Sequence, residues 1–251
     1  MKLLLFDVDG TLTTPRNKID NKMLESLKKL KENTNVELGF VGGSDLNKQI
    51  EQLGQENFYL FNWRFSENGL LGYHNDDLIH QRSFVEELGE DVFKKFINNC
   101  LMILAAVDCP VKRGTFIEYR NGMLNISPVG RACSQSEREE FYLYDQENNV
   151  REDIIQQIKK FWDNQCKCEK LIVPELQFSI GGEISIDIFP KGWDKTYCLQ
   201  FLEGKYEEIH FFGDKTDAGG NDHEIYNDSR VIGHKVENYE DTISILDSLS
   251  L

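Results

Sequence analysis

Asp7 and Asp9 are the residues from which chemistry can be read first. They stand in Asp7-Val8-Asp9-Gly10-Thr11, directly after the apolar run Leu3-Leu4-Leu5-Phe6. On an extended chain, residues at this spacing point the same way. Two close carboxylates repel, and a divalent cation such as Mg2+ relieves that repulsion. Asp7 can then act as a nucleophile toward phosphorus. Asp9 can act as general acid and base on the oxygen that leaves or attacks. Gly10 lets the backbone turn sharply, so that nearby N–H groups can hold a phosphate oxygen.

The elements around this pair must bring further groups to it. An apolar run without alternation reads as a strand buried on both faces of a parallel sheet, and in such sheets chemistry sits beyond the carboxyl ends of the strands. Asp20 is placed to cap a helix whose apolar positions are Met23, Leu24, Leu27 and Leu30. Val36 to Val41 reads as a second core strand, ending in Gly42-Gly43-Ser44-Asp45. There Ser44 can cap the helix carrying Leu46, Ile50 and Leu53, and a strand end leading into a helix N-terminus makes an anion site. Phe58 to Trp63 is expected as a third strand, with Ser66 to Gly69 as a turn. Near the other end of the chain, Ile209 to Phe212 reads as a buried strand ending in Gly213-Asp214. Asp214 would complete a Mg2+ site with Asp7 and the backbone carbonyl of Asp9, and Asp222, in Gly219-Gly220-Asn221-Asp222, is a further ligand candidate. Lys195 begins a helix over Tyr197, Leu199, Phe201 and Leu202, and Val231 to Val236 reads as the last strand before a final helix.

From about Arg82 the pattern changes. Phe93, Phe96, Ile97, Cys100, Leu101 and Leu104 recur at helical spacing, followed by hairpins of alternating residues. Asn121-Gly122 is a strong two-residue turn signal. It pairs Arg120 with Met123 and Glu118 with Asn125, leaving Ile117, Tyr119, Leu124 and Ile126 on the opposite, apolar face. In the second hairpin a loop of Gly181-Gly182-Glu183 keeps the faces separate. It sets Ile180 opposite Ile184, Phe178 opposite Ile186, Ser179 opposite Ser185 and Gln177 opposite Asp187. Ser185 and Asp187 then share a polar face with Arg120. Arg131 and Arg138 follow the first hairpin closely, and Arg16 lies on the loop after Asp9. The expected architecture is α/β: a core of mainly parallel sheet from residues 1–81 and 190–251, with an inserted α+β cap of antiparallel sheet at 82–189.

Composition sets outer limits. The chain has 251 residues with 28 Lys and Arg against 43 Asp and Glu, a net charge of −15. So acidic a surface disfavours nucleic acid and anionic membrane as partners, and an anionic ligand then needs a local cluster of cations. Guanidinium–phosphate hydrogen bonds contribute on the order of 1.5–3 kcal/mol each when sheltered. The N-terminal apolar run is too short for a signal peptide and no window approaches a membrane span, which leads to an expectation of a cytoplasmic protein. The six cysteines (100, 109, 133, 166, 168 and 198) show no C-x-x-C or zinc-finger spacing, so reduced thiols are expected. His210, His223 and His234 have no metal-ligand spacing either.

DVDGTLT resembles the first motif of the haloacid dehalogenase (HAD) superfamily of phosphotransferases, Ser44 matches its second motif and Lys195 its third. The stretches RGTFIEYRNGMLNISPVGR, GGEISIDIFPKGWDK and FFGDKTDAGGNDHEIY are more specific, and they resemble the eukaryotic phosphomannomutase family over almost the whole chain. That resemblance implies a HAD-like Rossmannoid core and interconversion of mannose 6-phosphate and mannose 1-phosphate, which supplies GDP-mannose synthesis. Asp7 would carry the phosphoryl group, Asp9 would move the proton, and a hexose 1,6-bisphosphate would be both activator and intermediate. Ser44 would hold the transferring phosphate, and Lys195 would neutralise the aspartyl-phosphate. Arg16, Arg120, Arg131, Arg138, Ser185 and Asp187 would contact the hexose phosphate. Tyr226 and Asp228 would serve a second cation site. The resemblance further implies closure of the cap and a homodimer joined through the caps. A sugar phosphatase on the same core differs only in using water as the acceptor. A catalytically silent sugar-phosphate sensor is opposed by the intact Asp7, Asp9, Lys195 and Asp214.

Overall fold

A computed structural model describes residues 1–249. In chain order the elements are β1 (Lys2–Phe6), α1 (Asn21–Lys31), β2 (Val36–Val41), α2 (Leu46–Leu53), β3 (Trp63–Ser66), β4 (Leu71–His74), β5 (Asp77–Gln81), α3 (Phe84–Leu88), α4 (Glu90–Ala106), β6 (Ile117–Arg120), β7 (Met123–Ile126), α5 (Gln135–Asn148), α6 (Val150–Glu169), β8 (Leu176–Gly181), β9 (Ser185–Pro190), β10 (Glu208–Gly213), α7 (His223–Tyr226), β11 (Ile232–Lys235) and α8 (Tyr239–Ser248). The chain divides into two compact units, one of residues Met1–Gln81 with Gly192 onward, the other Arg82–Lys191. The return to the first unit thus comes after Lys191 rather than at 190, because β9 stays paired as far as Pro190, opposite Leu176.

In the first unit a seven-stranded sheet runs β11-β10-β1-β2-β3-β4-β5. The strands from β11 to β3 are parallel, and β4 and β5 close the edge antiparallel. The unbroken apolar run of β1 has a direct cause: Leu4 and Phe6 pack with Leu38, Phe40, Met23 and Leu27 on one face, while Leu3 and Leu5 pack with Trp63, Phe65, Leu199 and Phe211 on the other. A strand covered on both faces has no polar positions to alternate. Asp20 caps α1, its carboxylate accepting from Lys22 N at 2.8 Å.

Two local expectations are corrected. Residues Gln55–Leu60 form a 3₁₀ helix, and the third strand begins only at Trp63. Phe58, Leu60 and Phe61 are buried by helical turns there, with the Asn57 side chain donating to Leu53 O at 2.8 Å; a short apolar run fits either geometry. The cap of α2 is Asp45, whose carboxylate accepts from Lys48 N at 2.9 Å, and this leaves the Ser44 hydroxyl outside the cap. The β4–β5 pair, with its turn at Asn75-Asp76, lies outside the strands expected from pattern. His210 and His234 stack with ring centroids 5.2 Å apart and share a hydrogen bond.

In the second unit a four-stranded antiparallel sheet runs β6-β7-β9-β8. The first hairpin has the expected register, Arg120 opposite Met123 and Glu118 opposite Asn125. In the second hairpin Ile180 faces Ile186, Phe178 faces Ile188 and Ser179 faces Asp187, so the loop is Gly182-Glu183-Ile184. The expected pairings are two residues out, and the faces are unchanged, since side chains alternate with a period of two. Leu124, Ile126, Ile186 and Ile188 are fully buried. They lie on the face covered by α4 and α6, whose Phe96 and Trp162 rings meet edge to face at 4.9 Å. The six cysteines form no disulfide.

Phe40→Ala removes a fully buried ring that meets Phe61 edge-on at 5.1 Å. We expect a loss of about 3–5 kcal/mol, read in urea as a lower midpoint with an unchanged slope.

Candidate active site

Strand order brings the acidic residues together. β1 lies next to β10, with Phe6 opposite Phe212, so Asp7 and Asp214 leave neighbouring strands at the same end. The Asp7 amide donates to Phe212 O at 2.9 Å. Asp222 follows on the loop before α7, and Lys195 heads the 3₁₀ helix Lys195–Phe201, capped by Asp194. Lys195 Nζ donates to Asp7 Oδ1 and, at 2.6 Å, to Asp222 Oδ1. The second Asp222 oxygen accepts from Lys215 N at 3.1 Å. Asp7, Lys195 and Asp222 are 3%, 1% and 0% exposed, so this ion network is screened from water.

Burial pushes the Asp7 carboxyl up to about 7, against the opposing pull of Lys195. Burial works to lower Lys195, but Asp7 and Asp222 outweigh it and hold the ammonium above its ordinary value. The Asp214 carboxyl is raised by burial and by Asp222, with Lys215 and Lys195 opposing. The cation of this cluster stays charged, and the carboxylates share too little positive charge.

The residues fit a divalent cation. Asp7, Asp214 and Asp222 each offer a ligand oxygen, all within 4.8 Å of one another, and this is the one such group of three among the described residues. Asp214 Oδ1 is buried without a hydrogen-bond partner. Three carboxylates and one ammonium leave a formal −3 + 1 = −2. Both Asp222 oxygens already accept protein hydrogen bonds, which leaves Asp7 and Asp214 as the carboxylates open to a cation. Gly10, at φ +91°, is needed for their approach: a Cβ there would come within 2.6 Å of the Asp214 Cγ.

Asp9 is oriented separately. Its Oδ1 accepts from the Arg16 amide and from Gln52 Nε2, each at 2.7 Å. Burial acts to raise its carboxyl, but these hydrogen bonds, with Lys48 and Lys215 nearby, hold it below the ordinary range. The Arg16 contact is made by its backbone, with φ at +63°, while its side chain is exposed. Ser44 sits on the loop after β2, its carbonyl accepting from Glu67 N at 3.0 Å. Asp228 is not part of the carboxylate group, and both its oxygens are taken by Arg230; Tyr226 ends α7.

The second unit gathers the other polar residues. Asp187 Oδ1 accepts from Asn125 Nδ2 at 2.6 Å, and Asn125 Oδ1 accepts from Arg131 Nη1 at 2.6 Å. Glu118 pairs with Arg131 at 3.2 Å and with Arg120 at 2.6 Å. Arg138 donates to Arg131 O at 3.0 Å, and Ser185 Oγ donates to Gly181 O at 3.0 Å. Burial pushes the Asp187 carboxyl up, while Asn125, Arg120 and Arg131 oppose. Arg120, Arg131 and Asp187 thus belong to one connected polar network.

Sequence reading missed Gln52, Asn125 and Glu118 as parts of these networks. For Gln52 there was a signal. With Gln49, which is also buried and accepts from Ser66 Oγ at 2.5 Å, it stands on the inward side of α2, where an amphipathic helix normally carries apolar residues.

Gly10→Ala displaces Asp214, and cation affinity falls by about 10–100-fold. The check is the rise in melting temperature on adding MgCl2, which the variant loses while its metal-free spectrum stays native. Gln52→Leu removes a hydrogen bond that stabilises ionised Asp9. The Asp9 pKa rises, and the acid limb of a kcat/KM profile moves to higher pH; a limb that stays in place would contradict the contact.

Three comparisons locate the chain among known proteins. The sequence model described as "Eukaryotic phosphomannomutase" matches residues 23–250. A Triticum aestivum protein named phosphomannomutase is 50% identical over 249 residues, covering 99% of this chain and 95% of its own. One from Galdieria sulphuraria is 52% identical over 241 residues, covering 96% and 91%. IMP-bound Plasmodium falciparum IMP-nucleotidase superposes with a TM-score of 0.60 over 99% of this chain and 68% of its own, at 16% identity, a likeness of HAD-type fold alone. The chain belongs to the eukaryotic phosphomannomutase family.

Proposed function

We infer that the phosphomannomutase activity of this chain, acting on hexose phosphate, runs through Asp7. A hexose 1,6-bisphosphate gives one phosphoryl group to Asp7 and leaves as the monophosphate. Asp7 then passes the group to the free hydroxyl of a hexose monophosphate. Phosphorylating O6 of mannose 1-phosphate makes the bisphosphate, which turns end for end and returns its 1-phosphoryl group to Asp7. Asp9 protonates the departing sugar oxygen and deprotonates the attacking one. Its two hydrogen bonds place the carboxylate without engaging its second oxygen.

The observation that carries this reading is the buried Lys195 bound to both Asp7 and Asp222. An ammonium held there offsets charge on an aspartyl-phosphate without waiting for solvent to reorganise. Ser44 holds a phosphate oxygen. Asp7 and Asp214 would hold Mg2+, with the Asp9 carbonyl as a further ligand, and that ion supplies charge to the transferring group when bound. Asp222 orients Lys195 and completes the acidic cluster; Tyr226 and Asp228 would serve a second cation site only once Arg230 releases the Asp228 carboxylate. Arg16, Arg120, Arg131, Arg138, Ser185 and Asp187 bind the sugar and the phosphate that is not reacting.

The two units take separate parts: residues 1–81 and 192–251 do the phosphoryl chemistry, and 82–191 recognise the substrate. The protein works as a cytoplasmic homodimer joined through the second units, where Leu101 and Met102 on α4 are exposed apolar side chains that a second copy would cover. No helix among the described residues is long and apolar enough to cross a membrane.

With mannose 1-phosphate, Mg2+ and a trace of hexose 1,6-bisphosphate, the protein yields mannose 6-phosphate with little free phosphate. Asp7→Asn lowers turnover by more than about a thousandfold, since no other group here can carry the phosphoryl intermediate. Stoichiometric free phosphate without mannose 6-phosphate would overturn the transfer to sugar.

A further inference from the structure

Arg151 stands outside the catalytic and substrate sets described above. It is 2% exposed in the second unit, at the start of α6. Its partner Asp145, 5% exposed, lies near the end of α5. Asp145 Oδ1 accepts from the Arg151 amide and Oδ2 from Arg151 Nε, each at 2.8 Å. This anchors the guanidinium from one side. On the other side Nη1 donates to Gly182 O at 2.9 Å, with Ser185 O at 3.4 Å and Gly181 O at 3.5 Å. Gly182 opens the turn between β8 and β9, and Gly181 and Ser185 are the paired strand residues that flank it.

A buried ion pair is seldom the cheapest way to hold a fold, since apolar residues of similar volume stabilise as well. What an apolar side chain cannot do is donate to the carbonyls of Gly182 and of the two strand residues that flank the loop. Those carbonyls lie on the segment that opens Gly182-Glu183-Ile184 where pattern alone would have placed the loop one residue earlier. Ser185 begins β9, and Asp187 follows it on the same face. A Cβ on Gly181 would lie 2.9 Å from Asp187 Oδ2 and 3.6 Å from Ser185 Oγ, so the turn backbone abuts both side chains. Movement of the turn therefore moves Ser185 and Asp187.

We propose that Arg151, anchored by Asp145, is a positioning residue for substrate binding: it sets the β8–β9 turn and thereby places Ser185 and Asp187. The inference rests on the reading that Ser185 and Asp187 contact the sugar phosphate. Arg151 itself touches no substrate. Its guanidinium is the far end of a chain that runs through the turn to Asp187, Asn125 and Arg131.

Arg151→Lys keeps the charge beside Asp145 but lacks the fork that reaches the turn. In the full-length protein we expect KM for mannose 1-phosphate to rise about tenfold, the loss of roughly one hydrogen bond to a charged group, while kcat changes little. Ser185→Ala raises KM on its own, and Arg151→Lys added to Ser185→Ala raises it by less than the product of the two single effects, because part of the arginine's effect passes through Ser185 and the rest through Asp187. An unchanged KM in Arg151→Lys, or effects that multiply in the double variant, overturns the proposal. If Ser185→Ala and Asp187→Asn both leave KM unchanged, the sugar-phosphate reading fails first and takes this proposal with it. Should Arg151→Lys not fold, Asp145→Asn weakens the anchor without removing the donors. A smaller rise in KM is expected, and none would overturn the inference.

Discussion

The ammonium of Lys195, buried between Asp7 and Asp222, is the interaction on which the rest of the site depends. Three carboxylates cannot gather in a water-poor place without a cation, because each loses its hydration and repels the others. One lysine covers part of that charge. The remaining formal −2 balances a divalent cation, and Asp214 Oδ1 has no other partner. The same arrangement suits phosphoryl transfer. Charge that would be expensive to bring in during the reaction is already fixed in place, at an ammonium bound to Asp7.

The sheet explains why residues so far apart in the chain meet. Parallel pairing of β1 with β10 puts two strand ends side by side, and an aspartate follows each. Hydrophobic layers cover both faces of β1 beneath the aspartates, Leu4 and Phe6 in one and Leu3 and Leu5 in the other. Gly10 then lets the carboxylate of Asp214 approach where any side chain would block it. Asp9, two residues beyond Asp7, escapes the cluster because Gln52 and the Arg16 amide hold it. The two aspartates of one short motif thus receive different electrostatic surroundings and can take different parts.

The second unit meets the opposite problem. The chain is acidic overall, and here its cations are concentrated and tied together. Arg120 and Arg131 share Glu118, and Arg131 reaches Asp187 through Asn125. These bonds hold long side chains that would otherwise sample many rotamers. Arg151 makes a similar tie one layer back, to the carbonyls of Gly182 in the β8–β9 turn and of Ser185 at the start of β9.

Much was decided by local sequence. The apolar run before Asp7, the Asn121-Gly122 turn and the Asp20 cap follow from side-chain periodicity and short-range hydrogen bonding, and each lies where those rules put it. So do the faces of the second hairpin, because burial of Ile186 and Ile188 sets the parity. Its register was a different matter. A slide of two residues leaves every side chain on its own face, so no pattern of burial can detect it, and the turn contacts from Arg151 lie in a helix some thirty residues away in sequence. The 3₁₀ helix at Gln55–Leu60 escaped for a similar reason, since a short apolar run is equally buried as strand or helix. The identity of the acidic residues was legible from their types and places at strand ends. Which of them would bind Lys195, which would remain open to a cation, and that Gln52 would orient Asp9, were settled only by the tertiary structure. Those pairings depend on distances between segments that share no sequence neighbourhood.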